Sequence, residues 1–433
     1  MQKYKSQLLE ILYSSGPAAA VIKSAKEHQD RGQSSNLRFP FLAVVGQTEM
    51  KTALLLALIN RAIGGVLLVG ARGTAKTTAV RGLVDILPIV ERSTCEYGCE
   101  PEDLYNYGLE GVCKECAQKL GMGDPITAPE IMRLVELPLN ARLEDVVGGI
   151  SERVAMEQNR VQLERGILTQ ADQNLLYIDE VNLLDRIIID AILDAAAQGQ
   201  FTVRRGPVSA TYRSRVILVG SMNPEEGVLR PQIQDRFGLR VLVRGVTGAD
   251  ERKEIYRRSV AYNTKPYKFV SDWIAETEAA MMEVSNARKR LPKVSLSDEL
   301  EREGLRWIED LKIDSHRAEM TLFEAGRALA AIDGRLEVTL DDLRIVAPLA
   351  LRQRQTEIAA EFFEKQQAED EKIQAVINKK VKSTAIKRQR KKSASSKNPA
   401  DGNSPGNGNT EKGDDTSQAI VDTTRNTQAR KAS

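Results

Sequence analysis

This sequence has few aromatic residues, few histidines and almost no excess of one charge sign. Only 5% of its 433 residues are aromatic, which argues against a platform that stacks on single-stranded nucleic acid. Basic and acidic residues number 62 and 60, so the net charge of +2 creates no field that attracts nucleic acid or an anionic membrane. The longest apolar run, around residues 62–71, is interrupted by Gly64 and Gly65 and is well short of a membrane span.

The first residues of the chain also lack a targeting signal. Met1 to Lys5 lead into a mixed polar stretch without an apolar core or a cleavage site, which predicts a cytoplasmic protein with no membrane partner. The two histidines, His28 and His316, are isolated in the sequence, and neither is predicted to bind a metal. With 42% apolar residues, the chain is long enough to form two or three domains.

A short apolar strand at residues 67–69 runs into a glycine-containing turn, and Lys76 and Thr77 then open a predicted helix. This order suits a nucleoside triphosphate, because the turn and the helix N-terminus present backbone N–H groups to the phosphates. Lys76 is predicted to reach the β and γ oxygens, and the Thr77 hydroxyl to bind Mg²⁺. The predicted phosphate-binding residues are Gly70, Arg72, Gly73, Thr74, Ala75, Lys76, Thr77 and Thr78.

Ala75 departs from the usual phosphate loop, which has glycine just before the lysine. A methyl group at this position narrows the approach of a phosphate to the backbone, and it is compatible with the loop if the local φ is negative. Glycine-rich turns also end ordinary strands, so the loop alone does not define a nucleotide site.

A second apolar strand, residues 175–178, ends in the adjacent carboxylates Asp179 and Glu180. Because open α/β sheets bind ligands at the carboxyl ends of their strands, Asp179 is predicted to hold Mg²⁺ and Glu180 to polarise the attacking water. The alternative is a plain strand followed by an acidic helix cap, which the phosphate loop upstream makes less favourable.

Strands alternating with helices predict an α/β fold with a parallel sheet. Further strands are expected at 134–137, 216–223 and 239–243, and residues 247–363 have a helical pattern with an N-cap at Thr339. The predicted divisions are an N-terminal helical arm at 1–36, a nucleotide-binding domain at 37–246, a helical lid at 247–365 and a disordered tail at 366–433. Inserts are predicted at 91–124, which carries the cysteines, and as hairpins at 138–166 and 200–213.

All four cysteines of the chain fall in the first of these inserts: Cys95, Cys99, Cys113 and Cys116. Two closely spaced pairs separated by a loop suit a tetrahedral site of four thiolates, and no nearby histidine completes a catalytic centre. Structural Zn²⁺ is favoured over an iron–sulfur cluster. The alternatives are unrelated thiols or two disulfides, and disulfides fit poorly with a cytoplasmic ATP-using protein.

The phosphate loop, the Asp-Glu strand end, a strand ending in Asn223 and a helical tailpiece together describe an AAA+ ATPase. The run from Gly220 to Leu239 closely resembles the ATPase subunit I of magnesium chelatase, as do residues 72–74, 178–184 and the hairpin around Gly206. This resemblance covers about 39–351 and implies an AAA+ P-loop three-layer αβα core with a C-terminal helical lid. Ala75 and the cysteine insert depart from the family pattern.

The resemblance also implies roles for four polar residues. Asn223 would orient the lytic water together with Glu180, Arg236 would reach the γ-phosphate of a neighbouring copy, and Arg317 would sense the γ-phosphate from the lid. For each arginine the alternative is a surface salt bridge of small energetic value.

By resemblance, the function would be that of an ATP-driven motor for metal insertion into a tetrapyrrole. The implied partners are further copies in a ring, with a hexamer expected, an AAA+ subunit carrying a VWA domain, and a porphyrin-binding subunit. ATP and Mg²⁺ are the implied cofactors. A MoxR-like chaperone acting on a VWA client is a second hypothesis. A ring motor on nucleic acid is a third, which the neutral charge balance disfavours.

Overall fold

The computed structural model of this chain describes residues 4–13, 37–151, 156–157, 163–206, 208–227, 229–352 and 354. The predicted tail at 366–433, most of the arm at 1–36, the last residues of the lid and parts of the insert at 138–166 lie outside the described residues. All of the described residues lie within one compact unit, Met1–Glu357.

Nine strands are present in the part of the chain that the structure describes. In chain order they are β1 (Val66–Val69), β2 (Ile89–Ser93), β3 (Thr127–Ile131), β4 (Leu134–Leu137), β5 (Leu175–Ile178), β6 (Gln200–Arg205), β7 (Val208–Arg213), β8 (Ile217–Met222) and β9 (Leu239–Leu242). Five of them form a parallel sheet in the order β4-β5-β8-β1-β9, so their carboxyl ends lie along one edge.

The helices surround this sheet or follow it in the chain. The first nine are α1 (Gln7–Tyr13), α2 (Thr48–Ile59), α3 (Lys76–Gly82), α4 (Pro101–Tyr107), α5 (Lys114–Met122), α6 (Leu143–Val147), α7 (Ile167–Gln170), α8 (Arg186–Gln198) and α9 (Pro231–Arg236). The later helices are α10 (Ala249–Thr264), α11 (Pro266–Ser271), α12 (Ile274–Arg290), α13 (Asp298–Asp310), α14 (Arg317–Ile332) and α15 (Leu340–Leu351). Among the described residues, no helix has the length and apolar character that a membrane span requires.

Both faces of the sheet are covered by apolar side chains. Val66 and Leu68 of β1 pack into one buried cluster, which includes residues of α2 and α3. Leu67 and Val69 point the other way, into a second cluster that includes residues of α8. A strand buried on both faces needs a continuous apolar run, which is why these strands are visible in the sequence. This arrangement confirms the predicted three-layer αβα core with a parallel sheet.

The region after β9 is helical, as its sequence pattern predicts. The buried face of α14 includes Ala325 and Leu329, and that of α15 includes Leu343. Thr339 begins α15 with a capping box, in which its backbone N–H donates to Asp342 Oδ2 at 2.7 Å and the Asp342 N–H donates back to its hydroxyl at 3.4 Å. These helices form the predicted helical lid that follows the sheet.

Two antiparallel ribbons stand apart from the main sheet. Strands β2 and β3 pair from Ile89↔Ile131 to Ser93↔Thr127, and the cysteine-bearing segment lies between them. Strands β6 and β7 pair from Gln200↔Arg213 to Arg205↔Val208, and β7 leads into β8. The β2–β3 ribbon was not expected from the sequence, because its residues lack a regular alternation of polar and apolar side chains.

Candidate active site

The loop from Gly70 to Ala75 joins β1 to α3 and surrounds the Lys76 side chain. Gly70 lies beside the end of β9, and a Cβ at this position would stand 2.1 Å from the Val243 carbonyl oxygen. Gly73 has a φ of 76°, a conformation that favours glycine. The loop therefore needs one glycine for close packing and the other for its backbone conformation.

Ala75 has a φ of 67° and lies in the left-handed region. The expectation that Ala75 has a negative φ, at which its methyl group would fit the loop, is therefore wrong. Alternation of right-handed and left-handed residues turns successive N–H groups toward one side and makes an anion-binding concavity. A left-handed L-residue costs about 1–2 kcal/mol, so Ala75 keeps the loop in a strained conformation.

Lys76 is 9% exposed, and its ammonium group lies inside the loop. Its Nζ donates to the carbonyl oxygens of Gly70 at 2.7 Å and Ala71 at 2.9 Å. Burial lowers the pKa of Lys76, whereas nearby carboxylates, above all Asp179, act in the opposite direction. The loop thus holds a cation at its centre, with the α3 N-terminus beside it.

Asp179 follows β5 and accepts hydrogen bonds from three hydroxyl groups. Thr77 Oγ1 donates to Oδ2 at 3.1 Å and Tyr177 Oη donates to Oδ1 at 2.8 Å, while the Ser221 hydroxyl also donates to Oδ1. Burial alone would raise the pKa of Asp179, but these hydrogen bonds outweigh it and lower the pKa. The two predicted magnesium ligands, Thr77 and Asp179, are therefore in direct contact, and such oxygen donors suit Mg²⁺.

Glu180 lies next to Asp179 at the same edge of the sheet and has a φ of 50°. Arg72 of the loop is 3.8 Å from Glu180, measured from Nη2 to Oε1, and it forms a closer ion pair with Glu226. The guanidinium group therefore connects the loop to the ends of β5 and β8. The Glu180 side chain is 29% exposed, which leaves it within reach of water.

The other predicted site residues lie in the phosphate loop, on α3 or directly after β8. Asn223 is buried directly after β8, and its Oδ1 accepts a hydrogen bond from the Glu225 N–H at 3.3 Å. Thr74 Oγ1 donates to the Ala71 carbonyl at 2.9 Å, and Thr78 is exposed on the first turn of α3. The roles predicted for Asn223 and Glu180 in orienting water stay predictions.

The two predicted arginines are not at the phosphate loop of their own chain. Arg236 ends α9 and pairs with α8, with its Nη1 2.8 Å from Asp194 Oδ1 and 3.8 Å from Asp190 Oδ1. Arg317 is exposed at the first position of α14, and its Nη1 donates to the Asp235 carbonyl at 3.4 Å. Arg317 therefore contacts Asp235, the residue that directly precedes Arg236.

Asp235 is the centre of an ion network that the sequence did not suggest. Its carboxylate accepts hydrogen bonds from Ser315 at 2.8 and 2.9 Å and from Arg354 at 2.7 Å, and Arg240 lies 3.3 Å away. Burial, assisted by Arg354, lowers the pKa of Arg240 to about 10 against the effect of Asp235. This network connects the sheet to the last two described helices of the lid, directly beside Arg236.

The four predicted metal ligands come together in space. The Sγ atoms of Cys95, Cys99, Cys113 and Cys116 all lie within 4.8 Å of one another, and all four thiols are free. Hydrogen bonds from Ser93 and from backbone N–H groups outweigh burial and lower the pKa of Cys95 to about 7. The cluster has the composition of a structural zinc site, and the binding of an ion by these cysteines stays a prediction.

Three polar side chains at the site were missed. Tyr177 and Ser221 lie inside apolar strands, so their hydroxyl groups looked like part of the core, yet both donate to Asp179. Glu226 lies just beyond Asn223 and pairs with Arg72. A period of two along a strand would have indicated Tyr177, since it lies two residues before Asp179 and shares its side of the strand.

A parallel sheet with a phosphate loop, an Asp-Glu strand end, a polar end on the neighbouring strand and a helical lid defines an AAA+ ATPase. Residues 309–376 match the family described as AAA lid domain, and residues 150–235 match the family described as Magnesium chelatase, subunit ChlI.

Relatives of known identity match most of the chain. The magnesium-chelatase subunit ChlI homolog of Methanocaldococcus jannaschii is 42% identical over 341 residues, which cover 78% of this chain and 91% of that protein. The magnesium-chelatase 38 kDa subunit of Acidiphilium rubrum is 40% identical over 73% of this chain and 90% of its own length. A structure of the complex between magnesium chelatase subunits BchI and BchD is 36% identical over 73% of this chain and 96% of that chain, with a TM-score of 0.41. This chain belongs to the magnesium chelatase subunit ChlI family.

Proposed function

We propose that this chain is the ATPase motor of a magnesium-chelatase-type complex and couples ATP hydrolysis to insertion of a metal ion into a tetrapyrrole held by a partner subunit. The observation that carries the proposal is the identity of 42% to a ChlI homolog over 91% of its length. The contact between Thr77 and Asp179 at the mouth of the phosphate loop supports an ATPase cycle in this chain.

Within the proposed cycle, each residue of the site has a distinct task. Lys76 and the loop N–H groups bind the phosphates, and Thr77 and Asp179 hold Mg²⁺. When bound, Mg²⁺ neutralises charge that develops on the transferring phosphate. Glu180 orients and polarises the attacking water, and Asn223, buried at the end of the adjacent strand, keeps its amide beside that water.

The proposed site is shared between copies in a ring, with six copies expected. Arg236 is 29% exposed and is paired with Asp194 of α8 in its own chain, so reaching a neighbour's phosphate would require it to leave this pair. In the ring it would act on the neighbour's γ-phosphate, and Arg317 would sense the γ-phosphate from the lid. The partners proposed from family membership are an AAA+ subunit with a VWA domain and a porphyrin-binding subunit.

The test combines the purified chain with an AAA+/VWA protein and a porphyrin-binding protein of the magnesium-chelatase type. Metalloporphyrin fluorescence should develop only when all three proteins, ATP and Mg²⁺ are present. Replacing this chain with its Glu180→Gln variant should stop the reaction, because that variant keeps ATP bound without hydrolysis.

Metalloporphyrin formation at an equal rate without this chain would contradict the proposal. Failure to form metalloporphyrin, together with ATP-dependent binding of a VWA protein unrelated to porphyrin, would instead support the chaperone hypothesis.

A further inference from the structure

The cysteine module, defined here as residues 94–126, lies between strands β2 and β3. It contains none of the predicted nucleotide-binding residues. We propose that this module binds one Zn²⁺ through Cys95, Cys99, Cys113 and Cys116, and that the ion fixes the module as a brace for the β6–β7 hairpin. The proposal does not depend on which reaction the ATPase drives.

The positions of the sulfur atoms fit a tetrahedral ion. With Zn–S bonds of about 2.3 Å, neighbouring sulfurs of a tetrahedral site stand about 3.8 Å apart, and the four Sγ atoms here all lie within 4.8 Å of one another. Backbone N–H groups also point at the sulfurs: that of Cys113 donates to Cys99 Sγ at 3.2 Å, and that of Cys99 to Cys95 Sγ at 3.4 Å. Such N–H groups stabilise thiolates, which are the form that binds a metal.

The module has too little apolar material to be stable on its own. Its buried cluster contains Cys99, Cys116 and Ile126, with Cys95, Val112, Cys113 and Leu120 partly buried around them. Cysteine side chains therefore make up most of the core of the module. Small units of this kind are usually held by a metal or by disulfides, and these four thiols are free.

The module contacts the second strand of the hairpin through backbone, charge and ring stacking. The Arg213 N–H of β7 donates to the Tyr97 carbonyl at 3.2 Å, and its guanidinium donates to Asp103 Oδ1 at 2.6 Å. The rings of Tyr97 and Tyr212 stack with centroids 5.7 Å apart. Tyr97 lies between Cys95 and Cys99, so a metal on those thiolates would fix the loop that carries the two Tyr97 contacts.

A second set of contacts leads from the module to the main sheet. Arg215, whose side chain is 10% exposed, donates to the Gly98 carbonyl at 2.7 Å and pairs with Glu100 at 2.5 Å and Asp172 at 2.8 Å. Arg215 immediately precedes the β8 region, and Asp172 precedes β5. Because these strands are parallel, the contacts lie at the opposite strand ends from Asp179 and Asn223.

This placement separates the two expected consequences of metal loss. The Tyr97 contacts with the hairpin and the Arg215 contact with Gly98 depend on the fold of the loop between Cys95 and Cys99. The phosphate loop depends on β1, β9 and α3, which do not include residues of the module. Removal of the ion should therefore loosen the hairpin while nucleotide affinity is kept.

The first experiment measures the metal in the purified full-length chain. We expect about one zinc per chain by elemental analysis, its release when a mercurial reagent blocks the thiols, and the absorption bands of a tetrahedral cobalt–thiolate centre after replacement with Co²⁺. The metal site would be overturned if the purified protein contained no metal and added Zn²⁺ left its thermal stability unchanged. A visible iron–sulfur spectrum with stoichiometric iron would overturn the assignment to zinc.

The second experiment measures amide hydrogen exchange in the hairpin. Removal of the metal from the wild-type chain should accelerate exchange of the β6 and β7 amides by about tenfold or more, and added Zn²⁺ should restore protection. Cys116→Ser should act like metal removal. Arg213→Gln should accelerate exchange in the hairpin alone and keep its zinc, whereas Arg204→Gln, the same change at an exposed position of β6, should alter neither.

Unchanged hairpin exchange after verified loss of zinc would overturn the bracing role. The same holds if nucleotide affinity falls in parallel with hairpin protection in the zinc-free wild-type chain, since the ion would then support the whole sheet.

Discussion

The nucleotide site and the cysteine module lie at opposite ends of the same parallel strands and are stabilised in different ways. The site rests on the apolar strands β1, β5 and β8, buried on both faces, so its polar groups project from a firm base. The module has a small core made largely of cysteines and contacts the β6–β7 hairpin through Arg213 and the start of β8 through Arg215. A site that binds and releases a ligand repeatedly can thus be stabilised by the buried strands of the sheet. We expect the added module to need the metal ion as a cross-link of its own.

The largest expected effect in this comparison is on the nucleotide side. Arg236→Ala should lower ATP turnover by about 10³-fold, because a guanidinium supplied to the transferring phosphate carries an effect of this size. The zinc content and hairpin protection of the variant should equal those of the wild type. Steady-state phosphate release, measured at protein concentrations that allow assembly, provides the test.

A mixture of two inactive variants shows whether Arg236 acts between copies. Lys76→Ala removes the phosphate-binding amine but keeps the arginine, so random mixing with Arg236→Ala should create one intact interface in about four and recover activity. Arg186→Ala is the matched control, since Arg186 is an exposed partner of Asp190 on α8 and should leave turnover unchanged. Absence of recovery at every mixing ratio would contradict a shared site.

The next effect is on stability and lies at the other end of the strands. Asp172 accepts hydrogen bonds from the Arg215 backbone N–H at 2.7 Å and from its guanidinium at 2.8 and 3.1 Å. Asp172→Asn removes the charge that pairs with this nearly buried guanidinium, and we expect a loss of about 2 kcal/mol in the free energy of unfolding. Urea unfolding monitored by circular dichroism measures this loss, and ATP turnover should stay within about twofold.

An exposed ion pair supplies the control for that variant. Arg306→Gln breaks a pair with Glu303 on the surface of α13 and should cost about 0.5 kcal/mol or less. If Asp172→Asn instead reduced turnover as severely as Arg236→Ala, the two ends of the strands would be coupled and the comparison drawn above would fail.

The sequence was sufficient for the features whose chemistry is local in the chain. Lys76 and Thr77 come one short loop after a strand, Asp179 directly follows another strand, and the cysteines form two close pairs, so order and spacing alone indicate their neighbours. The three-layer core was also predictable, because strands buried on both faces need continuous apolar runs.

Contacts between distant parts of the chain could not be predicted in this way. Arg213 meets Asp103 across 110 positions, and Arg354 meets Asp235 across 119. A charged residue has many possible partners of opposite sign, and only the folded backbone selects one. The network around Asp235 was missed for this reason, although the adjacent Arg236 was singled out.

The smallest effect predicted at the nucleotide site concerns the backbone of the phosphate loop. Ala75 and Gly73 both have positive φ, at 67° and 76°, but only Gly73 has the residue type that favours it. Ala75→Gly should relieve about 1–2 kcal/mol of strain. It should also make the unfolded chain more flexible at a cost of about 0.5–1 kcal/mol, so the net gain in stability is about 0.5–1 kcal/mol.

Gly73→Ala is the matched variant in the same loop and should change stability in the opposite direction. A Cβ at Gly73 would meet no heavy atom within 4 Å, so its effect is confined to the backbone, and we expect a loss of about 1 kcal/mol. Thermal unfolding of the two variants beside the wild type, with and without ATP, provides the measurement. Opposite shifts would show that the strain at Ala75 is a backbone property of the loop. Destabilisation by both changes would mean that the Ala75 methyl group makes a packing contribution larger than its strain, and the loop would then tolerate alanine because of that contact.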